Sequence, residues 1–314
     1  MLARVEPSAE RIRSGDAIRT WRFLAAADEP GVLVLLTGTT GSFPRRVGSQ
    51  MAVAADGTTA GSLSSGCVEQ AIVAEARAAL DATAPRRVRF GQGSPFIDIR
   101  LPCGGGIDLL FLPDPDRALL RQATERLEAR RPVALSVSND GRLSLEDAGA
   151  EPGRLVVHHA PPLRLVVVGQ GEEGLATARL ARAQGLDYRL LSSDEWLLDA
   201  AAGEGLPAEP LDAPTALPEL AADPWTAVVF LYHDHEWEAA LIARALATPA
   251  FWVGAMGSRT TQATRLALLR DQGTDEAAIA RLRGPIGLIP AAREPSTLAL
   301  SVLGEIVGAD AARR

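Results

Sequence analysis

The chain has 314 residues, of which 47% are hydrophobic and 23% charged, a mix that fits two soluble domains of ordinary size. Its formal net charge of −7 excludes a general nucleic-acid-binding surface, which needs a basic face, while leaving room for a local basic pocket. All 32 basic residues are arginine, which excludes Schiff-base lysine and P-loop lysine chemistry.

There are two cysteines. The segment Met1–Arg13 carries charges and no long apolar core, unlike a signal peptide. No run reaches the roughly 18 apolar residues of a spanning helix, so no membrane partner is expected. The expected location is the cytoplasm, where thiols stay reduced and two cysteines in Gly-rich settings read as ligands or nucleophiles before they read as a disulfide.

Helical spacing of Ile12, Ala17, Ile18, Trp21 and Leu24 predicts a first helix over Ser8–Ala27. A buried strand at Val32–Leu36 follows, then a loop from Gly38 to Gly48, a strand at Met51–Ala54 and a turn at Asp56-Gly57. A small-residue loop from Gly61 to Gly66 leads into a helix from Cys67 to Ala82. Strands are predicted at Val88–Phe90, Ile97–Arg100 and Ile107–Leu112, the last preceded by the loop Cys103–Gly106. A helix over Pro115–Arg130 and a hairpin around Asn139-Asp140-Gly141 complete a first domain of residues 1–157. Residues 158–163, with paired prolines, read as the linker.

From residue 164 to 314 strands alternate with helices, which predicts a Rossmann-like doubly wound parallel sheet; the whole chain is α/β. Gly169, Gly171 and Gly174 satisfy G-x-G-x-x-G between the strand Leu165–Val168 and a helix running to Gln184. They give a tight turn, a close ligand approach and close helix–strand packing, with helix N–H groups offered to an anion. Against a bound dinucleotide stand Glu172 and Glu173 at the mouth of the loop and Ser192 in the slot where a ribose-binding acid belongs; Asp194 lies two residues beyond. Gly254–Arg259 reads as a second phosphate loop with Arg259 as donor, or as a tight turn. His233-Asp234-His235 reads as hydrogen-bonded histidines at a strand end before it reads as a metal pair, because no third ligand is spaced for it.

The densest chemistry lies in two loops of the first domain. Ser42, Arg45, Arg46 and Gly48 belong to the first, where arginine forks suit oxyanions bidentately. Gly66, Cys67 and Glu69 belong to the second, where a helix N-terminus favours a thiolate and Glu69 is placed to accept a proton or orient a ligand. Cys67 reads equally as a soft metal ligand or nucleophile and as a small packed residue. Cys103, at a glycine turn, either lines the same pocket or is packed; no zinc set is completed.

Together these segments resemble the xanthine dehydrogenase accessory factor family, XdhC/CoxI. The resemblance rests on Gly41–Arg46 with Gly48-Ser49 and Met51, Gly66-Cys67-Val68-Glu69, Cys103-Gly104-Gly105, Val166–Gly174, His233-Asp234-His235, Gly254–Arg259 and Gly284-Pro285-Ile286-Gly287-Leu288. It implies that the chain binds molybdenum cofactor (a molybdopterin) as cargo, protects it, and supports its sulfuration and insertion into a molybdenum hydroxylase such as xanthine dehydrogenase. The sulfur would come from a cysteine desulfurase, and a homodimer is the expected assembly. The family's Gly-Cys-Val-Glu cysteine falls on Cys67, the implied molybdenum contact, and its Cys-Gly-Gly cysteine on Cys103. Two departures are Glu172, where many members carry His, and Ser192, where many carry Asp. The accessory role makes the chain a chaperone before a catalyst. The competing reading is an NAD(P)-dependent oxidoreductase using Gly169–Gly174.

Overall fold

The computed structural model of the protein describes residues 12–64, 66, 68–95, 101, 104–138, 140–145, 154–213, 220, 222–232 and 235–313. Cys67, Cys103, the expected strand Ile97–Arg100 and His233-Asp234 lie outside the described residues. The chain divides into two units, Met1–Pro161 and Pro162–Arg314.

The first unit begins with β1 (Ile12–Arg13) and α1 (Ser14–Ala26), then β2 (Gly31–Thr40), β3 (Gln50–Ala54), β4 (Thr59–Gly61) and α2 (Glu69–Ala82). It continues with β5 (Arg86–Gly91), β6 (Gly106–Pro113), α3 (Arg117–Glu128), β7 (Val133–Val137), β8 (Leu143–Ser144) and β9 (Leu155–Ala160). A five-stranded antiparallel sheet has the order β4-β3-β2-β6-β5, and a four-stranded sheet the order β1-β9-β7-β8. The period of two along β2 separates its faces. Val32, Val34 and Leu36 pack with Ile72, Ala76 and Ala79 of α2. Leu33 and Leu35 pack with Trp21 of α1, Leu120 of α3 and Leu135 of the small sheet.

Three expectations for this unit change. Ile12, read from its spacing as part of a first helix over Ser8–Ala27, lies in β1 opposite His159, and α1 starts at Ser14 because the chain first pairs with β9. The loop expected from Gly38 starts later, because β6 continues to pair with β2 past a bulge at Leu36/Gly38, as far as Thr40↔Gly106. A β-carbon at Gly38 would lie 2.8 Å from Asp108 Oδ2, so a larger residue at this crossing would displace the Asp108 carboxylate. His158 and His159, read from sequence as the start of the linker, lie in β9 opposite Ala134 and Val133. The prolines that follow mark the end of that strand.

The second unit runs β10 (Arg164–Gly169), α4 (Gly171–Ala183), β11 (Asp187–Ser192), α5 (Glu195–Gly203), β12 (Glu209–Pro210), β13 (Thr226–Leu231), α6 (His235–Leu246), β14 (Trp252–Ala255), α7 (Arg259–Asp271), α8 (Glu276–Ile279), β15 (Leu282–Arg283) and α9 (Pro295–Ala311). All six strands are parallel in the order β12-β11-β10-β13-β14-β15, which is the 3-2-1-4-5-6 winding of a Rossmann sheet. Leu165 and Val167 face Leu175 of α4, Leu197 of α5 and Val302 of α9. Val166 and Val168 face Leu241 of α6 and Leu269 of α7. The sheet is covered on both sides, so its strands are near-continuous apolar runs.

Candidate functional site

Antiparallel pairing decides which loops of the first unit meet. β2 and β4 run toward one end of the sheet and β3 runs away from it, so the Gly41–Ser49 and Ser62–Val68 connections leave from that same end. β5 also ends there and β6 begins there, which brings the Gly104-Gly105 turn beside them. Backbone contacts join the segments. A β-carbon at Gly41 would lie 3.3 Å from the Gly105 Cα, and one at Gly61 would lie 2.9 Å from the Gln50 carbonyl oxygen. Each segment also drops an apolar anchor into one cluster: Phe43 from the arginine loop, Leu63 and Val68 from the serine loop, and Leu101 ahead of the glycine turn. Arg89 crosses this end, with Nη1 donating to Asp108 Oδ2 at 2.7 Å, Nη2 to Thr40 Oγ1 at 2.7 Å and Nε to the Gln92 carbonyl at 2.7 Å. Sequence reading missed Arg89, since its side-chain partners Asp108 and Thr40 come from two other strands, β6 and β2.

The serine loop is folded around Glu69. Glu69 Oε1 accepts the Ser62 hydroxyl at 2.8 Å and the Ser64 N–H at 3.1 Å, and Oε2 accepts the Ser64 hydroxyl. The Val68 N–H in turn donates to Ser64 Oγ at 3.0 Å. Burial alone would raise the Glu69 pKa; hydrogen bonds from the Ser64 hydroxyl, the Gly66 backbone, the Ser62 hydroxyl and the Ser64 backbone outweigh it and hold the value at about 2. Glu69 is therefore a fixed anion at neutral pH and a poor proton acceptor. Of the two functions open to it in the sequence, the geometry favours orientation. Gly66 is exposed with φ +104 and nothing within 4 Å of a β-carbon there, while Val68 beyond residue 67 is buried.

In the arginine loop, Gly48 (φ +91) returns the chain to the sheet, its N–H donating to the Leu36 carbonyl at 2.7 Å. Ser42 and Arg46 are exposed. Arg45 is half-buried: its Nε is shielded from solvent without a hydrogen-bond acceptor, and its Nη1 lies 3.9 Å from Asp16 Oδ2. A guanidinium in that state has donors left for an incoming oxyanion.

In the second unit the glycine loop has the geometry its spacing predicts. Gly169 and Gly174 are packed so closely that a β-carbon would meet Leu231 at 3.0 Å and Leu197 at 2.7 Å; Gly171 has φ +59. Ser192 is buried and donates to the Gly169 carbonyl at 2.7 Å, so it does not face a ligand. The acid that reaches the loop is Asp194. Its Oδ2 accepts the Gly171 N–H at 2.9 Å, and its Oδ1 caps α5 through Trp196 N–H at 3.0 Å. Gln170 Nε2 donates to Ser193 Oγ at 3.2 Å, and Ser193 lies 3.1 Å from the Tyr232 hydroxyl.

The Gly254–Arg259 turn is held from below. Arg265, on α7, donates through Nε and Nη2 to both oxygens of Glu238 on α6, through Nη1 to Gln262 Oε1 at 2.5 Å, and through Nη2 to the Met256 carbonyl at 2.7 Å. Gln262 itself leaves no room for a side chain at Gly284, where a β-carbon would lie 2.2 Å from its Oε1. Ser258 caps α7 by accepting the Thr261 N–H, and Arg259 is exposed on the first turn. Sequence reading missed Glu238 and Arg265. Among the described residues no group of three or more His, Cys, Asp or Glu side chains is assembled for a metal.

Comparison with known proteins places these features in a family. Residues 165–306 match the XdhC Rossmann domain and residues 24–91 match the XdhC and CoxI family. A molybdenum cofactor insertion chaperone of Escherichia coli K12, PaoD, is 34% identical over 280 residues, spanning 88% of this chain and 82% of that protein. The chain belongs to the XdhC and CoxI family. The family resemblance read from Gly41–Arg46, Gly66–Glu69 and the later motifs is thereby established. A second relative of the same organism, the uncharacterized protein YqeB, is 26% identical over 285 residues, 88% of this chain but 43% of that longer protein. The crystal structure of a xanthine dehydrogenase from Bacillus halodurans has the same fold, with TM-score 0.77 at 22% identity over 95% of this chain and 96% of that one.

Proposed function

We propose that this chain holds a molybdenum cofactor as cargo and hands it to a molybdenum hydroxylase of the xanthine dehydrogenase type. The observation that carries the reading is the gathering of the arginine loop, the serine loop and the glycine turn at one end of the first unit's sheet, tied by the shared anchors Phe43, Leu63, Val68 and Leu101. The 34% identity to a cofactor insertion chaperone supports the same role.

In this reading Cys67 supplies a thiolate to molybdenum, which soft sulfur ligands suit. Arg45 and Arg46, with Ser42 and the Gly48 turn, receive the pterin phosphate, Arg45 through the exposed part of a side chain that is 36% accessible. Holding the cofactor in this way keeps it available while its terminal sulfido ligand is installed, with sulfur from a cysteine desulfurase, before transfer to the target. The chain acts in the cytoplasm, as a dimer. The glycine loop of the second unit serves the fold and the docking of partners. Glu172, Glu173 and Asp194 surround its N–H groups with negative charge, which disfavours the pyrophosphate of NAD(P) and the redox alternative with it.

The test is direct. Purified protein is incubated with molybdenum cofactor, gel-filtered and assayed for bound molybdenum and pterin, alongside Cys67→Ala. The reading expects stoichiometric retention by the wild type and loss in the variant. Equal retention by both removes Cys67 from the mechanism.

A further inference from the structure

Buried polar groups that a ligand never touches can still decide whether a binding loop has one shape. In the serine loop that group is Ser64. Its side chain is 3% exposed, between Leu63 at 0% and Val68 at 3%. No surface is left through which cargo reaches the hydroxyl. Yet the hydroxyl is used twice, as donor to Glu69 Oε2 and as acceptor of the Val68 N–H at 3.0 Å. The Ser64 N–H donates to the other Glu69 oxygen at 3.1 Å, and Ser62 Oγ joins it at 2.8 Å. The result is a closed ring of hydrogen bonds from residue 62 to residue 69.

This ring differs from a helix cap. Val68 is the N-cap position of α2 and makes no side-chain cap bond. A capping box would join residues three apart, whereas Ser64 and Glu69 are five apart, and the extra residues include Gly66 at φ +104 and position 67. In sequence, the ring therefore brackets the position that the proposed function assigns to the molybdenum ligand, with Ser64 before it and Val68 and Glu69 after it. Its two feet are pinned in the apolar cluster at Leu63 and Val68, and its crest at Gly66 is exposed.

We propose that Ser64 is a positioning residue for the cargo-holding loop, fixing the backbone on both sides of residue 67 by bonding the Glu69 carboxylate and the Val68 N–H at once. The inference rests on the proposed function and adds to it the residue that shapes its site. The physical precedent is that hydrogen-bonding partners lying behind a metal ligand set its orientation, and that removing one costs about ten- to a hundredfold in metal affinity. Glu69 is not the better probe, because changing it removes a charge near the cargo as well as a hydrogen bond.

The experiment uses the full chain and four proteins: wild type, Ser64→Ala, Glu69→Gln and Cys67→Ala. Each is assayed for retention of molybdenum cofactor and for the iodoacetamide alkylation rate of each cysteine, followed peptide by peptide in a mass spectrometer. Ser64→Ala is expected to lose about ten- to a hundredfold in cofactor affinity. It is also expected to change the alkylation rate at Cys67 and leave that at Cys103 unaltered, with unchanged circular dichroism. A general weakening of the fold would alter both rates. Glu69→Gln, which keeps an acceptor for the Ser64 hydroxyl, is expected to fall between Ser64→Ala and wild type in its Cys67 rate, and supplies the comparison if Ser64→Ala does not fold. Wild-type retention and a wild-type Cys67 rate in Ser64→Ala, with cargo lost in Cys67→Ala, overturn this inference alone. Cargo retained in Cys67→Ala removes Cys67 from the proposed function and overturns this inference with it, whereas failure of the wild type to retain cargo overturns the proposed function itself.

Discussion

Arg265 and Glu238 form a two-pronged ion pair with side chains 2% and 0% exposed, and Arg265 spends a further donor on the Met256 carbonyl. The pair ties the start of α6, just after His233-Asp234-His235, to the turn that carries Gly257 and Arg259. The helix that follows β13 and the turn that follows β14 are thus fastened by one buried guanidinium. Removing one member strands the other charge out of water. Glu238→Ala is expected to destabilise the protein by about 3–5 kcal/mol. Replacing both, as Glu238→Leu with Arg265→Met, is expected to recover most of that loss, because the desolvation cost disappears with the charges. Urea unfolding of the three proteins checks this. A loss under about 1 kcal/mol in Glu238→Ala, the range of an exposed pair, contradicts it.

The second prediction concerns the glycine loop. Asp194 takes the Gly171 N–H, and Glu172 and Glu173 stand on the first turn of α4. Like charges at a helix N-terminus cancel the field that would attract a pyrophosphate. Calorimetric titration with NAD or NADP is expected to give no saturable heat up to about 1 mM ligand, a binding energy near 4 kcal/mol. A saturating isotherm below that concentration revives the oxidoreductase reading.

The Asp194 arrangement shows where sequence reading stops. Counting along β11 in steps of two puts Ser192 in the slot for a ribose-binding acid, and that counting is correct as far as the strand runs. Beyond it the chain turns, Ser192 folds under the Gly169 carbonyl, and Asp194 comes round to cap α5 and reach Gly171. The Rossmann sheet itself was legible because its signals are local: a continuous apolar run, three glycines and a helix. The first unit was less so. Its strand order links β2 to β6 and β7 to β9, and no local pattern encodes such pairings. The arginine and serine loops were legible as chemistry through Arg45, Arg46, Cys67 and Glu69, but their meeting at one sheet end follows from that strand order. Ser64 was not legible, since its spacing to Glu69 matches no helix-start signal. Arg265 reads in sequence as one arginine among many, and only the packing of α6 against α7 supplies its partner.

A third prediction separates the two arginines of the candidate site. Arg45 has a shielded Nε without an acceptor, whereas Arg46 is exposed. Charge-assisted hydrogen bonds contribute about 1.5–3 kcal/mol. Arg45→Met is therefore expected to weaken cofactor retention about ten- to a hundredfold. Arg46→Met is expected to weaken it less and mainly at low salt, as befits a screened surface charge. Arg45→Lys should not restore retention fully, because an ammonium lacks the planar fork. The check is bound pterin after gel filtration at low and high ionic strength; equal effects of the two substitutions at both would refute the assignment.

The last prediction is a pH dependence set by His159. Trp21 Nε1 donates to Gln50 Oε1 at 2.6 Å, and Gln50 Nε2 lies 3.1 Å from His159 Nε2. Because the amide nitrogen is the donor in this chain, Nε2 is the acceptor and the ring proton sits on Nδ1, which is buried without a partner. Trp21 closes edge-on over the imidazole at 4.8 Å. Burial, with a smaller contribution from the charge on His158, lowers the His159 pKa from 6.5 to about 3. The unfolded chain then binds a proton that the folded chain refuses at every pH between those values. The His159 contribution to stability is level well above pH 6.5 and falls as pH drops from there toward 3, at up to about 1.4 kcal/mol per pH unit. Glu69 adds a second loss at lower pH, as its carboxylate stays charged in the fold down to about 2 against 4.5 unfolded. Urea midpoints measured from pH 8 to pH 4 should decline in the wild type below 6.5 and decline less in His159→Gln, which keeps an acceptor for Gln50 without a titrating ring. Parallel curves for the two proteins would mean that His159 takes up its proton in the fold, and that the Trp21–Gln50–His159 chain opens at ordinary acid pH.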